Sequence, residues 1–277
     1  HVVGLSSAKS GIEGEENYHL LSEDGNVLKQ LASDATGQKA MGNTSVTTLD
    51  VDLQEAAYKA IGSNKGAVIV MEPSTGKILA MVSKPDYDPN DASTDYSEWL
   101  TYDSADSVLL NRATQGLYPP GSTFKIITMS AGLSEGVVSP NDSFFCPGYK
   151  IVEDRRIHCH KRTGHGAENF VQGAQNSCNP VFIEVGLRLG VEKFCDYFRN
   201  FGLMEKTEID LPGEASTIMH KEENIGEVEL ATMAFGQSFQ ITPIRLAATV
   251  SALVNGGKMV TPHVATDVLD EEGNVVK

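Results

Sequence analysis

Residues 117–128 read LYPPGSTFKIIT, and this stretch decides the fold. The Pro-Pro-Gly at 119–121 ends any preceding element, because proline and glycine both interrupt regular structure. Apolar residues then recur from Thr123 to Leu133. The sequence therefore predicts a helix that begins directly after this break and has Ser122 at its start.

Ser122 and Lys125 are a candidate nucleophile and base. They stand three residues apart, so in a helix their side chains share one face. A serine hydroxyl is a poor nucleophile unless a base takes its proton, and a lysine can be that base where burial lowers its pKa. Free backbone N–H groups at a helix start also suit a developing oxyanion. The same Ser-x-x-Lys string at Ser74 to Lys77 lies in a turn, where no helix aligns the pair.

Taken alone, most such strings are a capping serine beside a solvated lysine, so a second element is needed. The segment 177–179 reads Ser-Cys-Asn. Asn169 can cap a short helix before it, and Pro180 can occupy the first turn of a helix after it. A hydroxyl in such a loop can relay a proton to or from a leaving amine, and an Asn amide can hydrogen-bond a substrate.

The rest of the chain indicates a mixed α/β domain. Residues 51–61 have the apolar spacing of an amphipathic helix. Two β-rich runs, 66–71 and 78–82, flank a Pro/Gly turn and predict a hairpin. The section 140–166 is predicted to be rich in loops and poor in strands. Thr242-Pro243 predicts the start of the last clear helix.

Charge and hydropathy exclude several classes of function. The chain has 277 residues and a formal charge of -15, which argues against nucleic acid and against anionic lipid, since both require Lys and Arg on the protein. The sequence contains no run of about 18 apolar residues of the kind that spans a membrane. Residues 1–4 lack the charged segment followed by an apolar stretch that is typical of a signal peptide.

The four cysteines leave three interpretations open. They are too few for a disulfide scaffold in a chain of this length. Cys146 and Cys159 could face each other across a hairpin and form a disulfide. A zinc site of Cys146, Cys159, His160 and His165 is another alternative, but its spacing matches no standard zinc pattern. The preferred interpretation is a loop with incidental Cys and His, so no metal ligand is predicted.

The ordered series of motifs resembles one family. Ser-x-x-Lys followed by Ser-x-Asn is the active-site order of the penicillin-binding proteins and serine β-lactamases. SGIEG at 10–14 resembles the segment before the catalytic domain in class B, monofunctional penicillin-binding proteins, and the Gly-Gln-Ser-Phe at 236–239 is similar to the division and sporulation members of Gram-positive bacteria. The other segments that follow the family's order are VIVMEPSTGKILAMVSKPDYDPN (68–90), GHG (164–166), NSCNPVF (176–182), IDLPGE (209–214) and FGQSFQITPIRLA (235–247).

This resemblance implies the α/β fold of the penicillin-binding transpeptidases and serine β-lactamases, and the activity of a peptidoglycan D,D-transpeptidase. By the resemblance, Ser122 attacks the D-Ala-D-Ala carbonyl and Lys125 accepts its proton. Ser177 shuttles protons, and Asn179 holds the acyl donor. An amine of a second stem peptide then resolves the acyl-enzyme and forms a cross-link. β-Lactams would be trapped as stable esters of Ser122.

The resemblance also implies partners and a place of action. Stem peptides, β-lactams and other cell-wall synthesis proteins are the expected partners, and no cofactor is expected. Residues 1–45 are interpreted as a linker or a remnant of the N-terminal pedestal domain, and residues 46–277 as the transpeptidase domain. The domain is expected to work outside the cytoplasm, anchored to the cell membrane by an N-terminal segment absent from this chain.

One expected motif does not follow. The family has a Lys-Thr/Ser-Gly motif on a strand well downstream of the Ser-x-Asn serine. Lys9-Ser10-Gly11 precedes the nucleophile, and Arg162-Thr163-Gly164 lies beside the GHG loop, so neither is assigned. The expectation is a domain that lacks its C-terminal strands and is incomplete at its C-terminus.

Three other activities share part of this motif pattern with transpeptidation. A class A β-lactamase uses a Glu in a Glu-x-x-x-Asn loop, and no Glu after Asn179 has Asn at that spacing. A D,D-carboxypeptidase shares the motifs and differs only in using water as the acceptor. A non-catalytic β-lactam sensor or scaffold would be labelled covalently without turnover. Transpeptidation is the preferred prediction, with the last two as alternatives.

Overall fold

The structure is a computed structural model that describes residues 1–5, 8–20, 42–270 and 272–277. In chain order its helices are α1 (Gly11–Glu15), α2 (Asn17–Leu20), α3 (Val51–Ile61), α4 (Ala92–Trp99), α5 (Lys125–Ser134), α6 (Phe170–Gln175), α7 (Asn179–Asn200), α8 (Glu227–Met233) and α9 (Pro243–Val254). The strands are β1 (Thr44–Thr47), β2 (Gly66–Met71), β3 (Ile78–Lys84), β4 (Ser143–Cys146), β5 (Tyr149–Val152), β6 (Arg155–His158), β7 (Gly166–Asn169) and β8 (Ala265–Leu269). Residues 21–41, within the predicted linker, lie outside the described part of the chain.

The described chain divides into two compact units. Unit 1 comprises His1–Gly116, Lys206–Ala215 and Thr242–Lys277, and unit 2 comprises Leu117–Glu205 and Ser216–Ile241. Within the described residues, the structure has no helix that is both long and apolar enough to cross a membrane.

Unit 1 is built on antiparallel strand pairs. The predicted hairpin is confirmed, since β2 pairs with β3 along its whole length, and β1 pairs with β8. The predicted helix at 51–61 is also confirmed as α3, whose N-cap Asp50 accepts a hydrogen bond from the Leu53 backbone N–H. Asp50 holds the first turn in this way because the first backbone N–H groups of a helix have no partner inside it.

The core of unit 1 forms on both sides of the hairpin. Ala57 and Ile61 of α3 pack with Ala80 and Val82 of β3, so one face of the hairpin is covered by the helix. A second cluster joins Ile78 and Met81 of β3 to residues in or near α9 and β8; it contains Val2, Ile12, Ile78, Met81, Ala113, Ile209, Leu211, Ile244 and Val264. Each fully buried aliphatic side chain of this kind contributes about 1.5–3 kcal/mol.

Unit 2 is dominated by α5 and α7. Gly132 of α5 faces Val185 of α7 so closely that a Cβ on the glycine would overlap the valine side chain. In the same way Gly186 of α7 faces Ala234, at the end of α8. Small residues at these two positions let the helices approach closely. At Gly190 the backbone has φ +75°, and this kink divides α7 into two helical parts.

The section 140–166 was predicted to be poor in strands, and this prediction is wrong. It contains β4, β5 and β6 and the first residue of β7. β4 pairs antiparallel with β7, and β5 pairs antiparallel with β6. Each strand is only four residues long, so an alternation of polar and apolar residues has too little length to stand out. These short strands lie on the same unit as α5 and α7.

Candidate active site

Ser122 lies at a sharp turn that leads into α5. Residues Gly121–Phe124 form a 3-10 helix, and α5 continues directly from Lys125, so the predicted helix start is confirmed with a tighter first turn. Gly121 has φ +59°, a conformation that favours glycine. Ser122 is exposed, whereas Phe124 is only 1% exposed. The turn therefore presents the hydroxyl residue outward while it anchors the helix inward.

Phe124 fixes the turn in the core of unit 2. Its ring centroid lies 4.8 Å from that of Phe239, 5.9 Å from that of Phe198 and 6.1 Å from that of Phe194. Aromatic pairs at these separations add stabilisation beyond the burial of area alone. Phe124, two positions after the candidate nucleophile, is thus packed against three other aromatic rings.

A second backbone contact supports the same turn. The Gly121 N–H donates to the Gly236 carbonyl at 2.8 Å, and Gly236 has φ +83°. A Cβ on Gly236 would overlap the backbone of Gly121. This explains why the Phe-Gly-Gln-Ser stretch at 235–238 carries a glycine at its second position. Gly236 is thus a candidate positioning residue. From the sequence it was only part of the matching segment 235–247, and it had no assigned role.

Lys125 is buried against the Ser-x-Asn segment. The residue is 4% exposed, and its Nζ donates to the Ser177 carbonyl at 2.6 Å, to Ser177 Oγ at 3.0 Å and to Asn179 Oδ1 at 2.7 Å. Its Nζ also lies 5.3 Å from the centroid of the Phe182 ring. An ammonium has three N–H donors, and three acceptors surround this one. The structure therefore brings together the two motifs that the sequence singled out.

Burial changes the protonation of this lysine. It lowers the pKa of Lys125 from 10.5 to about 8, and the nearby Cys159 and Cys178 oppose that shift. At pH 7 about one tenth of the molecules would carry the neutral amine, which can accept a proton from a hydroxyl. A normal lysine would be neutral in far fewer molecules. The pKa is thus placed where the side chain can act as a base near neutral pH.

The Ser-x-Asn segment lies between two helices, as predicted, and its backbone has an unusual conformation. Asn169 caps α6 by accepting from the Gln172 backbone N–H, and Pro180 lies in the first turn of α7. Between the helices Ser177 has φ +48°, which is uncommon for a residue other than glycine. This turn directs both the carbonyl and the hydroxyl of Ser177 at Lys125. Strained conformations of this kind concentrate at functional sites.

Asn179 links the lysine to the neighbouring strand. Its Oδ1 accepts from Lys125, and its Nδ2 donates to the His158 carbonyl at the end of β6, at 3.0 Å. These two contacts fix the direction of the amide. An Asn amide has two N–H donors, so the one that does not point at His158 can serve a substrate carbonyl.

The candidates for the third motif lie elsewhere. Lys9-Ser10-Gly11 belongs to unit 1, where Ser10 is the N-cap of α1. Arg162-Thr163-Gly164 lies in the turn between β6 and β7, and Gly164 packs against the Cys146 and Pro147 backbone. Neither segment was assigned a role from the sequence, and neither has a contact with the side chain of Lys125 among the described hydrogen bonds.

Next to the Ser-x-Asn segment, the structure gathers side chains that the sequence treated as incidental. Cys146, Cys159, His165 and Cys178 place one ligand atom each within 4.8 Å of one another. All four cysteines of the chain are free thiols, so the alternative of a disulfide between Cys146 and Cys159 is not realised in the structure. His160, which the sequence considered with this group, is exposed, and Cys178 takes its place in the cluster.

A serine one turn before a buried lysine, with a second serine and an asparagine on that lysine, is an arrangement of the kind that serine nucleophilic catalysis assisted by lysine requires. Residues 66–277 match the family model "Penicillin binding protein transpeptidase domain". The chain belongs to this family, and the family and fold predicted from the sequence are confirmed.

Similar proteins come from several bacteria. The chain is 38% identical to stage V sporulation protein D of Bacillus subtilis over 298 residues, which is 98% of this chain and 44% of that protein. It is 32% identical to the peptidoglycan D,D-transpeptidase MrdA of Acinetobacter baumannii, over 91% of this chain and 40% of that protein. The chain thus spans less than half the length of these curated relatives.

Solved structures show the same fold. The D,D-transpeptidase domain of a peptidoglycan glycosyltransferase from Eggerthella lenta superposes with a TM-score of 0.87 at 28% identity, over all of this chain and 66% of that one. The ceftriaxone acyl-enzyme complex of penicillin-binding protein A from Mycobacterium tuberculosis superposes with a TM-score of 0.85 at 26% identity, over 97% of this chain and 64% of that one.

Proposed function

We propose that this chain carries the acyl-transfer site of a peptidoglycan D,D-transpeptidase. One observation carries the proposal, namely that Lys125, whose pKa is lowered to about 8 by burial, contacts Ser177 and Asn179 and follows Ser122 by one helical turn. Relatives named peptidoglycan D,D-transpeptidase support the choice of reaction, as does family membership.

In the first half-reaction Ser122 is the nucleophile. Its Oγ forms a bond to the carbonyl carbon of the penultimate D-Ala, and its proton passes to the neutral amine of Lys125. The C–N bond to the terminal D-Ala then breaks. The leaving amine receives a proton from the Lys125 ammonium by way of the Ser177 hydroxyl, which lies 3.0 Å from Nζ. The product is an ester of Ser122.

In the second half-reaction the same groups transfer protons in the opposite direction. The amine of a second stem peptide attacks the ester carbonyl and loses a proton through Ser177 to Lys125. The Ser122 Oγ leaves and regains its proton, which restores the starting state. Asn179 holds the acyl donor by hydrogen-bonding one of its peptide groups. A β-lactam would acylate Ser122 in the same way, because its strained amide presents the same carbonyl to the serine.

Partners and place of action follow from the substrate. Similar proteins are described as acyl-enzyme complexes with β-lactams and, for a Helicobacter pylori penicillin-binding protein, as a complex with MreC. For this chain we extend the proposal to β-lactams, stem peptides and other cell-wall synthesis proteins as partners. We also place its work outside the cytoplasm, at the membrane face where stem peptides are cross-linked, with a membrane anchor preceding residue 1.

The proposal is tested by separating transfer from hydrolysis. A synthetic stem peptide that ends in D-Ala-D-Ala is incubated with the chain and an amine acceptor, and the products are separated by mass. The expected product joins donor and acceptor with loss of one D-Ala, and Ser122→Ala does not form it. A donor shortened by one D-Ala, with no joined product, would assign a D,D-carboxypeptidase instead. Joined product from Ser122→Ala would reject the assigned nucleophile.

A further inference from the structure

The acyl-transfer chemistry leaves one cluster of reactive side chains unexplained. Cys146, Cys159, His165 and Cys178 converge on one point, with one ligand atom from each lying within 4.8 Å of all the others. The three cysteines are each 1% exposed or less, and the His165 side chain is 7% exposed. Three thiols and an imidazole do not form such a group for packing alone, because small apolar side chains would fill the same space without polar atoms to satisfy.

The distances between these ligand atoms fit a metal ion with tetrahedral coordination. A Zn²⁺ ion with sulfur ligands at about 2.3 Å and a nitrogen ligand at about 2.0 Å needs ligand atoms roughly 3.5–3.8 Å apart. Cys159 Sγ already lies 3.8 Å from His165 Nδ1. The separations in the cluster are at most 4.8 Å, so they exceed the tetrahedral edge by no more than about 1 Å, a difference that small rotations about the Cys Cα–Cβ bonds would remove. Three thiolates with one imidazole form a ligand set of structural zinc sites.

The backbone around the cluster is closely packed. Cys146 ends β4, and Gly166 at the start of β7 is its paired residue. The Cys159 N–H donates to the Gly148 carbonyl at 2.9 Å. A Cβ on Gly164 would overlap the Cys146 carbonyl oxygen, so the two loops touch backbone to backbone. Three of the four ligands are thus presented by strand ends that glycines allow to approach.

The fourth ligand ties the cluster to the active-site segment. Cys178 is the N-cap of α7, and its N–H donates to the Gly173 carbonyl at 2.8 Å. It stands between Ser177 and Asn179, the two residues that contact Lys125. A bond from Cys178 to a metal would therefore restrain the segment in which Ser177 holds its left-handed conformation.

A buried carboxylate beside the cluster is an independent sign of a cation. Glu168 is 5% exposed, and its Oε2 accepts from Asn176 Nδ2 at 3.0 Å. Its Oε1 has no hydrogen-bond partner among the described residues and lies 3.9 Å from His165 Nδ1. Buried carboxylates without full partners are costly. Glu168 Oε1 faces the same ring nitrogen that lies 3.8 Å from Cys159 Sγ, so a cation bound there would offset the charge of the buried carboxylate.

We propose that Cys146, Cys159, His165 and Cys178 bind one Zn²⁺ ion, and that this ion restrains the segment 177–179 against Lys125. Four protein ligands leave no open position on the metal, so its role is structural. Metal binding stands independently of the acyl-transfer proposal, whereas the effect of the metal on acylation rests on it.

The first test measures metal content. The chain is prepared under reducing conditions with zinc, passed through a desalting column, and examined by native and denaturing mass spectrometry together with metal analysis. We expect about one zinc per wild-type chain, and at least a tenfold weaker zinc affinity in Cys146→Ser and Cys159→Ser. Cys195→Ser is the matched control, because Cys195 is also buried, at 2% exposure, and lies outside the cluster. It is expected to bind zinc as the wild type does.

Cobalt gives a readout that does not depend on the folding of a variant. After removal of zinc by a chelator, Co²⁺ added to the wild-type chain is expected to give the intense visible bands of tetrahedral coordination and a thiolate charge-transfer band. A wild-type chain with four reduced thiols that binds neither metal would overturn the proposal. A metal-free chain two mass units lighter than the reduced form would overturn it in favour of a disulfide. Equal zinc in wild type and Cys146→Ser would also overturn it.

The coupling to the active site is measured on the same samples. The rate of acylation by a penicillin is compared for zinc-loaded, chelator-treated and zinc-restored wild-type chain. We expect acylation to slow at least tenfold on zinc removal and to recover on zinc addition. Equal rates in all three samples would exclude an effect of the metal on acylation. The zinc site itself is tested separately by the metal content. No acylation in the zinc-loaded chain would count against the acyl-transfer proposal, and not against the metal.

Discussion

Lys125 Nζ lies 2.7 Å from Asn179 Oδ1, and this contact joins the helix that starts at the candidate nucleophile to the helix that carries the second motif. The two residues are 54 positions apart in the chain. Lys125, the Ser177 hydroxyl and the Asn179 amide are therefore in contact with one another, one helical turn after Ser122.

The rate of acylation should depend on pH through Lys125. Only the neutral amine accepts the Ser122 proton, and burial places the pKa of Lys125 at about 8. Below that pH the neutral fraction rises about tenfold per pH unit, so the rate should rise with the same slope and level off above pH 8. Second-order rates with a penicillin between about pH 6 and about pH 9 check this. A rate that is flat over this range would exclude Lys125 as the base.

Replacing Lys125 should separate its charge from its basicity. Lys125→Arg keeps a cation near Ser177 and Asn179, but a guanidinium does not lose its proton in a protein. We expect both Lys125→Arg and Lys125→Ala to acylate roughly 10²–10⁴-fold more slowly than the wild type. Stopped-flow acylation, with circular dichroism to confirm folding, makes the comparison. Near-normal acylation by Lys125→Arg would show that a positive charge, and not a base, is required.

Removing the Ser177 hydroxyl should slow acylation without unfolding unit 2. Ser177→Ala removes the Oγ contact to Lys125 but keeps the carbonyl contact. We expect roughly a hundredfold loss in rate. Ser177→Gly removes the same hydroxyl and also relaxes the positive φ. It should therefore acylate as slowly as Ser177→Ala, and it should be more stable than Ser177→Ala by about 1 kcal/mol. Recovery of the rate in Ser177→Gly would assign the effect to the backbone instead.

Gly236 should be needed for the shape of the nucleophile turn. A Cβ at this position would overlap the Gly121 backbone, so Gly236→Ala should displace Ser122 and slow acylation at least tenfold. Gly136→Ala is the matched control, because Gly136 also has a positive φ, of +66°, but has open space where a Cβ would lie. Gly236→Ala should also lose more stability in a thermal melt, because it adds this overlap to the backbone strain that both variants share. Equal acylation by the two variants would remove Gly236 from the positioning of Ser122.

The local parts of this site could be predicted from the sequence. The Pro-Pro-Gly break before Ser122, the Asn169 cap and the Pro180 first turn act within a few residues, so the nucleophile helix and the 177–179 segment were placed correctly. Their roles came from the resemblance to a family, and the contact between Lys125 and the second motif came only from the structure.

The parts that depend on distant pairing could not be predicted. β4 pairs with β7 through residues such as Phe144 and Glu168, which are far apart in sequence, and neither strand is long enough to show a pattern. The same pairing brings Cys146 and His165 together, and the packing of α7 adds Cys178. The spacing of these residues along the chain matches no standard zinc pattern, because three separate elements supply them.

The central claim is that Ser122 is an activated nucleophile, and intact-protein mass spectrometry after incubation with a penicillin tests it most directly. Wild-type chain should gain the mass of one opened β-lactam, with the adduct on the peptide that contains Ser122. Ser74→Ala, which removes the serine of the other Ser-x-x-Lys string discussed above, should gain the same mass, and Ser122→Ala should gain none. An adduct that persists on Ser122→Ala, or wild-type chain that gains no mass, would contradict the account.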